Sequence, residues 1–141
     1  MIAPHGGMLV NRIVEGRERE QLLAKAERLP RIELDAWALS DVEMIAIGAV
    51  SPLEGFMGRK DYESVVNQRR LANGLVWTIP VTLAVDGDIA GKLSAGALAA
   101  LTANDAVVAV LEVEDIYKPD KTHEAQQVLK TTDPAHPGVQ R

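Results

Sequence analysis

The chain has 141 residues, a formal net charge of −5, 47% hydrophobic and 4% aromatic residues, and no cysteine. This length predicts one ordinary domain with an aliphatic core, and the lack of cysteine excludes disulfides, thiolate-bound zinc and cysteine nucleophiles. No apolar stretch has the length of a membrane span and no secretory signal opens the chain, so we expect a cytoplasmic protein with no membrane partner.

The beginning of the chain predicts one long helix between two short strands. After a turn at His5 to Gly7, residues 8–14 have the composition of a short strand. Residues Arg17–Leu29 place their leucines on one face and their charges elsewhere, which predicts an amphipathic helix that Pro30 ends. Residues Arg31–Asp35 alternate polar and apolar side chains, as in a half-buried strand.

Two further helices are predicted before residue 70. Ser40 and Glu43 have the spacing of a capping box, so a short helix is expected to begin there and to end at Gly48. A loop rich in proline and glycine follows over residues 51–56. Residues Arg59–Arg69 then predict a helix that buries its apolar face.

The second half of the chain is richer in strand-forming residues. Residues Val76–Val85 predict a strand, which Pro80 restricts to a sheet edge or a bulge. Residues Leu98–Leu101 and Val107–Tyr117 predict a hairpin around a turn at Asn104 and Asp105.

The chain ends with a predicted helix over Thr122–Leu129 and an extended exit over residues 134–138. Helices therefore gather in the first half and strands in the second, which predicts the α+β class rather than alternating βαβ units. We find no internal repeat and no low-complexity segment.

The usual sequence signals of catalysis are missing. Neither the glycine-rich phosphate loop ending in lysine nor the dinucleotide-binding glycine pattern occurs. The histidines, His5, His123 and His136, have no metal-ligand spacing, which leaves open only a site assembled in three dimensions.

The carboxylates are densest in two groups, which could be either a solvated surface or an acid/base pair. Asp86 and Asp88 form one group, and Glu112, Glu114 and Asp115 form the other. Strand alternation places Glu112 and Glu114 on one face, where two like charges indicate a solvated surface more readily than an acid/base pair. Asp115 is expected to serve a turn.

The aromatic and basic residues give only weak support for nucleic-acid binding. Trp37 and Trp77 could stack on a base, although packing in a core or interface is the simpler role. The acidic chain contains one local basic group, which we interpret as a solvated helix surface: Arg59, Lys60, Arg69 and Arg70. From its chemistry, the chain is expected to be a binding or scaffold domain and not a complete enzyme.

Several segments together resemble bacterial-type sulfate adenylyltransferases (ATP sulfurylases). One of them is similar to the family segment Gly-(Ala/Gly)-(Phe/Tyr)-Ser-Pro-(Leu/Ile)-x-Gly-Phe, with Val50 in place of the aromatic residue. The turn at residues 104–106 also lacks the glycine usual there. The segments, in order, are 3–7 (APHGG), 9–12 (LVNR), 48–57 (GAVSPLEGFM), 61–62 (DY), 70–74 (RLANG), Trp77, 79–83 (IPVTL), 113–121 (VEDIYKPDK), 130–133 (KTTD) and 136–139 (HPGV).

The resemblance implies a single N-terminal domain over residues 1–141, a PUA-like β-barrel with helices. The family transfers the AMP moiety of ATP to sulfate, so ATP and Mg²⁺ are implied for the full-length enzyme and no cofactor for this part. The family's catalytic segments, Gln-x-Arg-Asn-Pro-x-His, His-x-x-His and Gly-Arg-Asp-His, lie in the following domain and do not occur here. The resemblance thus implies a supporting domain with no catalytic, substrate-binding or metal-binding residue of its own.

The partner implied by the resemblance is the chain's own C-terminal catalytic domain, in a homo-oligomer when full length. We expect the contact with that domain to involve Phe56, Met57, Pro134, His136 and Pro137. Two alternatives are a free-standing RNA-binding module, as other PUA-like domains are, and a generic interaction domain. The net charge of −5 opposes the first alternative, because RNA affinity depends on phosphate contacts.

Overall fold

The computed structural model describes residues 2–140, and these pack as two compact units. The first unit contains the chain up to Phe56 together with Leu83–Ile116, and the second contains Met57–Thr82 together with the chain from Tyr117 onward. Each unit is therefore assembled from two stretches that are distant in sequence.

The helices and strands follow one another in an α+β order. Their bounds are α1 (Gly16–Ala26), β1 (Arg31–Glu33), α2 (Ala36–Ile47), α3 (Arg59–Gln68), α4 (Gly87–Ala90), β2 (Leu98–Ala103), β3 (Ala106–Glu112), α5 (Lys121–Glu124), a π-helical segment (Ala125–Leu129) and α6 (Pro137–Gln140). The three long helices lie in the first half of the chain, and the predicted hairpin lies in the second, which confirms the α+β class.

A mixed three-stranded sheet, in the order β1-β2-β3, organises the first unit. β1 pairs with β2 in parallel and β2 pairs with β3 in antiparallel, with an irregularity at Leu101/Thr102. The two hairpin strands are joined by Asn104 and Asp105, whose φ angles are 51° and 64°. Two left-handed residues in a two-residue loop make a type I′ turn, so asparagine and aspartate take the positions where glycine is common.

The core of the first unit is aliphatic, as the composition predicted. Ile32 and Leu34 pack against Ala99 and Leu101 of β2. Partly buried side chains from α2, α4, β3 and the intervening loops surround this cluster: Ala38, Leu39, Val42, Phe56, Leu83, Val85, Ile89, Leu93, Ala109 and Leu111.

The second unit is built around α3, which confirms the helix predicted over Arg59–Arg69. Tyr62, Val65 and Val66 point inward from this helix and are buried. α3 packs against the π-helical segment, which with α5 occupies the region predicted as a helix over Thr122–Leu129. That prediction is confirmed in position, with π geometry replacing α geometry in its second part.

Two predicted strands do not form. Residues Val76–Val85 carry only an isolated bridge between Arg70 and Val76, and beyond it the main chain bonds to loops, as in the 2.8 Å bond from the Met57 amide to the Val81 carbonyl. Pro80 cannot donate to a ladder, which is consistent with an irregular segment. Residues 8–14 are also irregular, because their amides bond to α2 and the loop after it.

Several predicted element boundaries are wrong. α1 ends at Ala26, before the predicted Leu29, and β3 ends at Glu112, before the predicted Tyr117. α2 begins at Ala36, four residues before Ser40, and the Asp35 side chain accepts a hydrogen bond from the Ala38 amide. The capping box at Ser40 and Glu43 is therefore a coincidence of spacing inside a helix, although Gly48 does end it in a left-handed conformation. The exit predicted as extended over residues 134–138 instead forms a turn over 134–136, after which α6 begins at Pro137.

Candidate docking surface

The residues predicted to contact a second domain differ in their exposure. Pro134, His136 and Pro137 are exposed, as a docking surface requires. Phe56 is half-buried against the core of the first unit. Met57 is only 5% exposed, so its side chain does not form part of an exposed patch and that part of the prediction is wrong.

Met57 is buried within the second unit, where its main chain and its sulfur contact Val81 and Tyr117. Its amide donates to the Val81 carbonyl, and its carbonyl accepts a 2.8 Å hydrogen bond from the Tyr117 hydroxyl. The Val81 amide in turn lies 3.5 Å from the Met57 sulfur. Sequence reasoning placed Met57 in a loop and could not detect these partners, which are distant along the chain.

The basic residues do not form one compact face. Arg59 and Lys60 begin α3, whereas Arg69 and Arg70 follow its end, roughly 15 Å away at 1.5 Å per residue. Arg59 pairs with Glu63 at 2.9 Å, and Arg70 donates to the Gly74 carbonyl at 3.1 Å. This arrangement fits the solvated helix surface that we favoured.

The three histidines lie in different local environments. His5 is in the N-terminal turn, His123 contacts the Asn67 side chain at 2.7 Å, and His136 accepts from the Gly138 amide at 3.0 Å. Across residues 2–140, no three His, Cys, Asp or Glu side chains come together as metal ligands. Over the same residues, no helix is long and apolar enough to cross a membrane.

The carboxylates and tryptophans singled out in the sequence differ in their exposure. Glu112 and Glu114 are exposed on either side of the buried Val113, which confirms the predicted alternation and a solvated face. Trp77 is half-buried, whereas Trp37 is exposed on α2 and therefore does not belong to the core.

An N-terminal arm, residues 8–13, is fixed along the end of α2. The Arg12 amide donates to the Ala46 carbonyl and the Val10 amide donates to the Ser51 hydroxyl, each at 3.0 Å. The buried Ser51 hydroxyl also donates to the Gly48 carbonyl at 2.6 Å. Hydrogen bonds from the main-chain amides of the arm to residues more than 30 positions away thus fix the arm at the end of α2.

Gly48 allows this close approach. Its φ of 83° favours glycine, and a Cβ atom there would overlap the Val10 carbonyl oxygen and lie 2.8 Å from Leu9 Cδ1. The side chain of Leu9 consequently lies directly over the end of α2.

The arm and α2 together present large apolar side chains to solvent, on what we call the arm–α2 surface. Its members are between 36% and 71% exposed: Met8, Leu9, Ile13, Met44 and Ile47. Met44 and Ile47 are one helical turn apart, and Trp37 lies on the same side of α2 two turns earlier. Exposed apolar patches of about 300–600 Å² on a protein surface are often functional.

Sequence reasoning missed this surface. One signal was present, because α2 carries apolar residues on more than one face, which is unusual for a helix that covers a single core. The contribution of the arm could not be read from the sequence, since it depends on the contacts of Arg12 and Val10 with residues more than 30 positions away.

Tyr62 contains an ionisable group with a clearly shifted pKa. Burial raises the pKa of its hydroxyl above the ordinary value, and the nearby Glu124 carboxylate raises it further. The hydroxyl has no hydrogen-bond partner of acceptable geometry, whereas the adjacent Tyr117 hydroxyl does. This buried phenol therefore stays neutral and is a packing group.

The described residues thus combine a small mixed sheet with an exposed apolar surface on the arm and α2. The chain belongs to the PUA-like domain family, whose model matches residues 2–141.

Relatives with this domain are considerably longer proteins. The chain is 54% identical over 140 residues to a sulfate adenylyltransferase of Nostoc punctiforme, covering 99% of this chain and 36% of that protein. It is 55% identical over 140 residues to a probable bifunctional SAT/APS kinase 2 of Sorangium cellulosum, covering 99% of this chain and 24% of that protein. The chain thus spans only about a third or less of the length of these curated relatives.

A solved structure has a similar fold. It is described as a hexameric APS kinase from Thiobacillus denitrificans, with a TM-score of 0.75 and 35% sequence identity. The match covers 85% of this chain and 24% of that one.

Proposed function

We propose that this chain is the N-terminal supporting domain of a sulfate adenylyltransferase, an enzyme that converts ATP and sulfate to adenosine 5′-phosphosulfate and pyrophosphate in sulfate assimilation. The observation that carries the proposal is the 54–55% identity with two such proteins over 99% of the chain. A closed PUA-like barrel, a cytoplasmic location and a homo-oligomeric full-length enzyme belong to the same proposal.

The chain's own residues are assigned a structural role within that enzyme. Neither the arginine- and histidine-rich segments of the family nor a phosphate loop occurs in the sequence. Stabilising charge on a transferring phosphoryl group requires such donors. The chemistry is therefore assigned to the part of the longer protein that this chain does not contain.

We assign the Mg²⁺ and ATP implied for the full-length enzyme to the part of the longer protein that this chain does not contain. Mg²⁺ is bound through carboxylates together with substrate phosphates, and the described residues gather no cluster of three such ligands. No step of the reaction is assigned to this chain.

A graft tests the proposal. The matching 140-residue region of the Nostoc punctiforme enzyme would be replaced by this chain, and pyrophosphate release from ATP would be measured with and without sulfate. We expect the graft to keep sulfate-dependent activity and the isolated 141-residue chain to have none above buffer.

Two controls make the result specific. The Nostoc enzyme without its N-terminal region should lose activity, because its catalytic part then lacks its support. Sulfate-dependent turnover by the isolated chain would contradict the supporting role, and so would a graft that folds without activity.

A further inference from the structure

We propose that the arm–α2 surface is the face on which the remaining polypeptide of the longer enzyme docks. The inference rests on the proposed function and names the docking surface, which differs from the Phe56, Met57 and C-terminal residues predicted from the sequence. The observation behind the inference is an apolar surface to which both the arm and α2 contribute.

The arm is fixed against the end of α2, so the surface has a defined arrangement. The Arg12–Ala46 and Val10–Ser51 hydrogen bonds fix the arm, and Gly48 brings the Leu9 side chain against the helix end. A rigid apolar surface loses little conformational entropy when a partner covers it, which favours a permanent contact.

The size of the surface favours a domain of the same protein over a second copy. The five side chains expose roughly 170–340 Å² of apolar area, since fully burying one side chain of this kind removes about 60–120 Å² from water and these are 36–71% exposed. Contacts between domains of one chain bury about 600–1,500 Å² in total, or about 300–750 Å² per side. A stable dimer buries about 800 Å² per partner, of which about 450 Å² is apolar, more than these side chains supply.

The length of the relatives indicates which polypeptide covers the surface. In the Nostoc punctiforme protein the region matching this chain is 36% of the length, so most of that polypeptide lies outside it. A domain of that size has ample surface to cover the arm and α2.

Native methionines allow a direct test. Met8 and Met44 lie in the surface and are exposed, whereas Met57 is buried in the second unit and serves as an internal control. Peroxide would be applied to the isolated chain and to the Nostoc graft, and sulfoxide formation at each methionine followed by peptide mass spectrometry. We expect oxidation of Met8 and Met44 to slow about fivefold or more in the graft, because methionine oxidation follows exposure, with Met57 slow in both.

A matched pair of variants gives a second readout in the graft. Ile47 and Ile79 are 61% and 59% exposed, but only Ile47 belongs to the arm–α2 surface. We expect Ile47→Asp to lower the melting temperature of the graft by about 2–4 °C or more and Ile79→Asp to have a smaller effect. In the isolated chain, the difference between the two variants measures the cost of an aspartate at the end of α2, and it is subtracted from the difference found in the graft.

The outcomes separate this inference from the proposed function. An inactive graft contradicts the proposed function. An active graft in which Met8 and Met44 oxidise as fast as in the isolated chain, or in which the two aspartate variants differ no more than in the isolated chain, overturns the docking surface alone. An isolated chain that dimerises in sedimentation, and becomes monomeric with Ile47→Asp, assigns the surface to a second copy and also overturns it.

Discussion

Two tyrosines of the second unit differ in the partner of their hydroxyl groups. The rings of Tyr62 and Tyr117 lie 5.3 Å apart, with 41° between their planes. The Tyr117 hydroxyl donates to the Met57 carbonyl at 2.8 Å, whereas the buried Tyr62 hydroxyl has the Glu124 carboxylate nearby but forms no hydrogen bond of good geometry. Removing each hydroxyl therefore compares a satisfied polar group with an unsatisfied one in nearly the same environment.

We expect Tyr117→Phe to lower the free energy of unfolding by about 1 kcal/mol, because it leaves the Met57 carbonyl without this donor. Tyr62→Phe should change it by less than about 0.5 kcal/mol at neutral pH, since the lost hydroxyl made no hydrogen bond of good geometry to Glu124. Urea unfolding of both variants would measure the difference. A larger loss for Tyr62→Phe than for Tyr117→Phe would mean that the Tyr62 hydroxyl is bonded in solution.

The raised pKa of Tyr62 adds a pH dependence of defined sign. Because burial raises the pKa in the folded state, the folded chain keeps a proton that the unfolded chain releases above about pH 10. The contribution of Tyr62 is complete below that pH and is lost as the pH rises through the folded-state pKa. Stability should thus fall less steeply above about pH 10 in Tyr62→Phe than in the unaltered chain.

At the scale of the element, the start of α2 distinguishes a cap in the structure from a cap in the sequence pattern. The Asp35 carboxylate accepts from the Ala38 amide at 2.7 Å, whereas Ser40 lies inside the helix. We expect Asp35→Ala to cost about 1 kcal/mol of unfolding free energy. Ser40→Ala should be neutral or slightly stabilising, because alanine has the higher helix propensity. Denaturant titrations that gave the reverse order would restore the predicted capping box.

Elements set by local signals were predictable, and those set by distant partners were not. The hairpin turn at Asn104 and Asp105 and the buried face of α3 follow from short-range chemistry, and both are confirmed. Residues Val76–Val85 have strand-forming composition, but a strand also needs a neighbouring ladder, which the sequence does not encode locally. The arm–α2 surface is non-local in the same way, since it depends on the Arg12–Ala46 contact.

At the scale of the whole molecule, charge placement bears on the RNA-binding alternative. The chain carries a formal net charge of −5, and its basic pairs Arg59/Lys60 and Arg69/Arg70 lie at opposite ends of α3. Each pair can meet only one or two phosphates at a time. Since log affinity follows the number of phosphates neutralised, few counterions would be released on binding.

We therefore expect the chain to bind mixed structured RNA no more tightly than about 1 μM at physiological salt, with any binding lost as salt is added. Fluorescence anisotropy with labelled RNA would measure this over a salt series. The double variant Arg69→Ala, Arg70→Ala should change little, as should Lys25→Ala, Arg28→Ala, which removes the same charge from the first unit. Submicromolar binding that survives added salt and disappears only in the Arg69/Arg70 variant would overturn the supporting role, because it would show a specific RNA site at the end of α3.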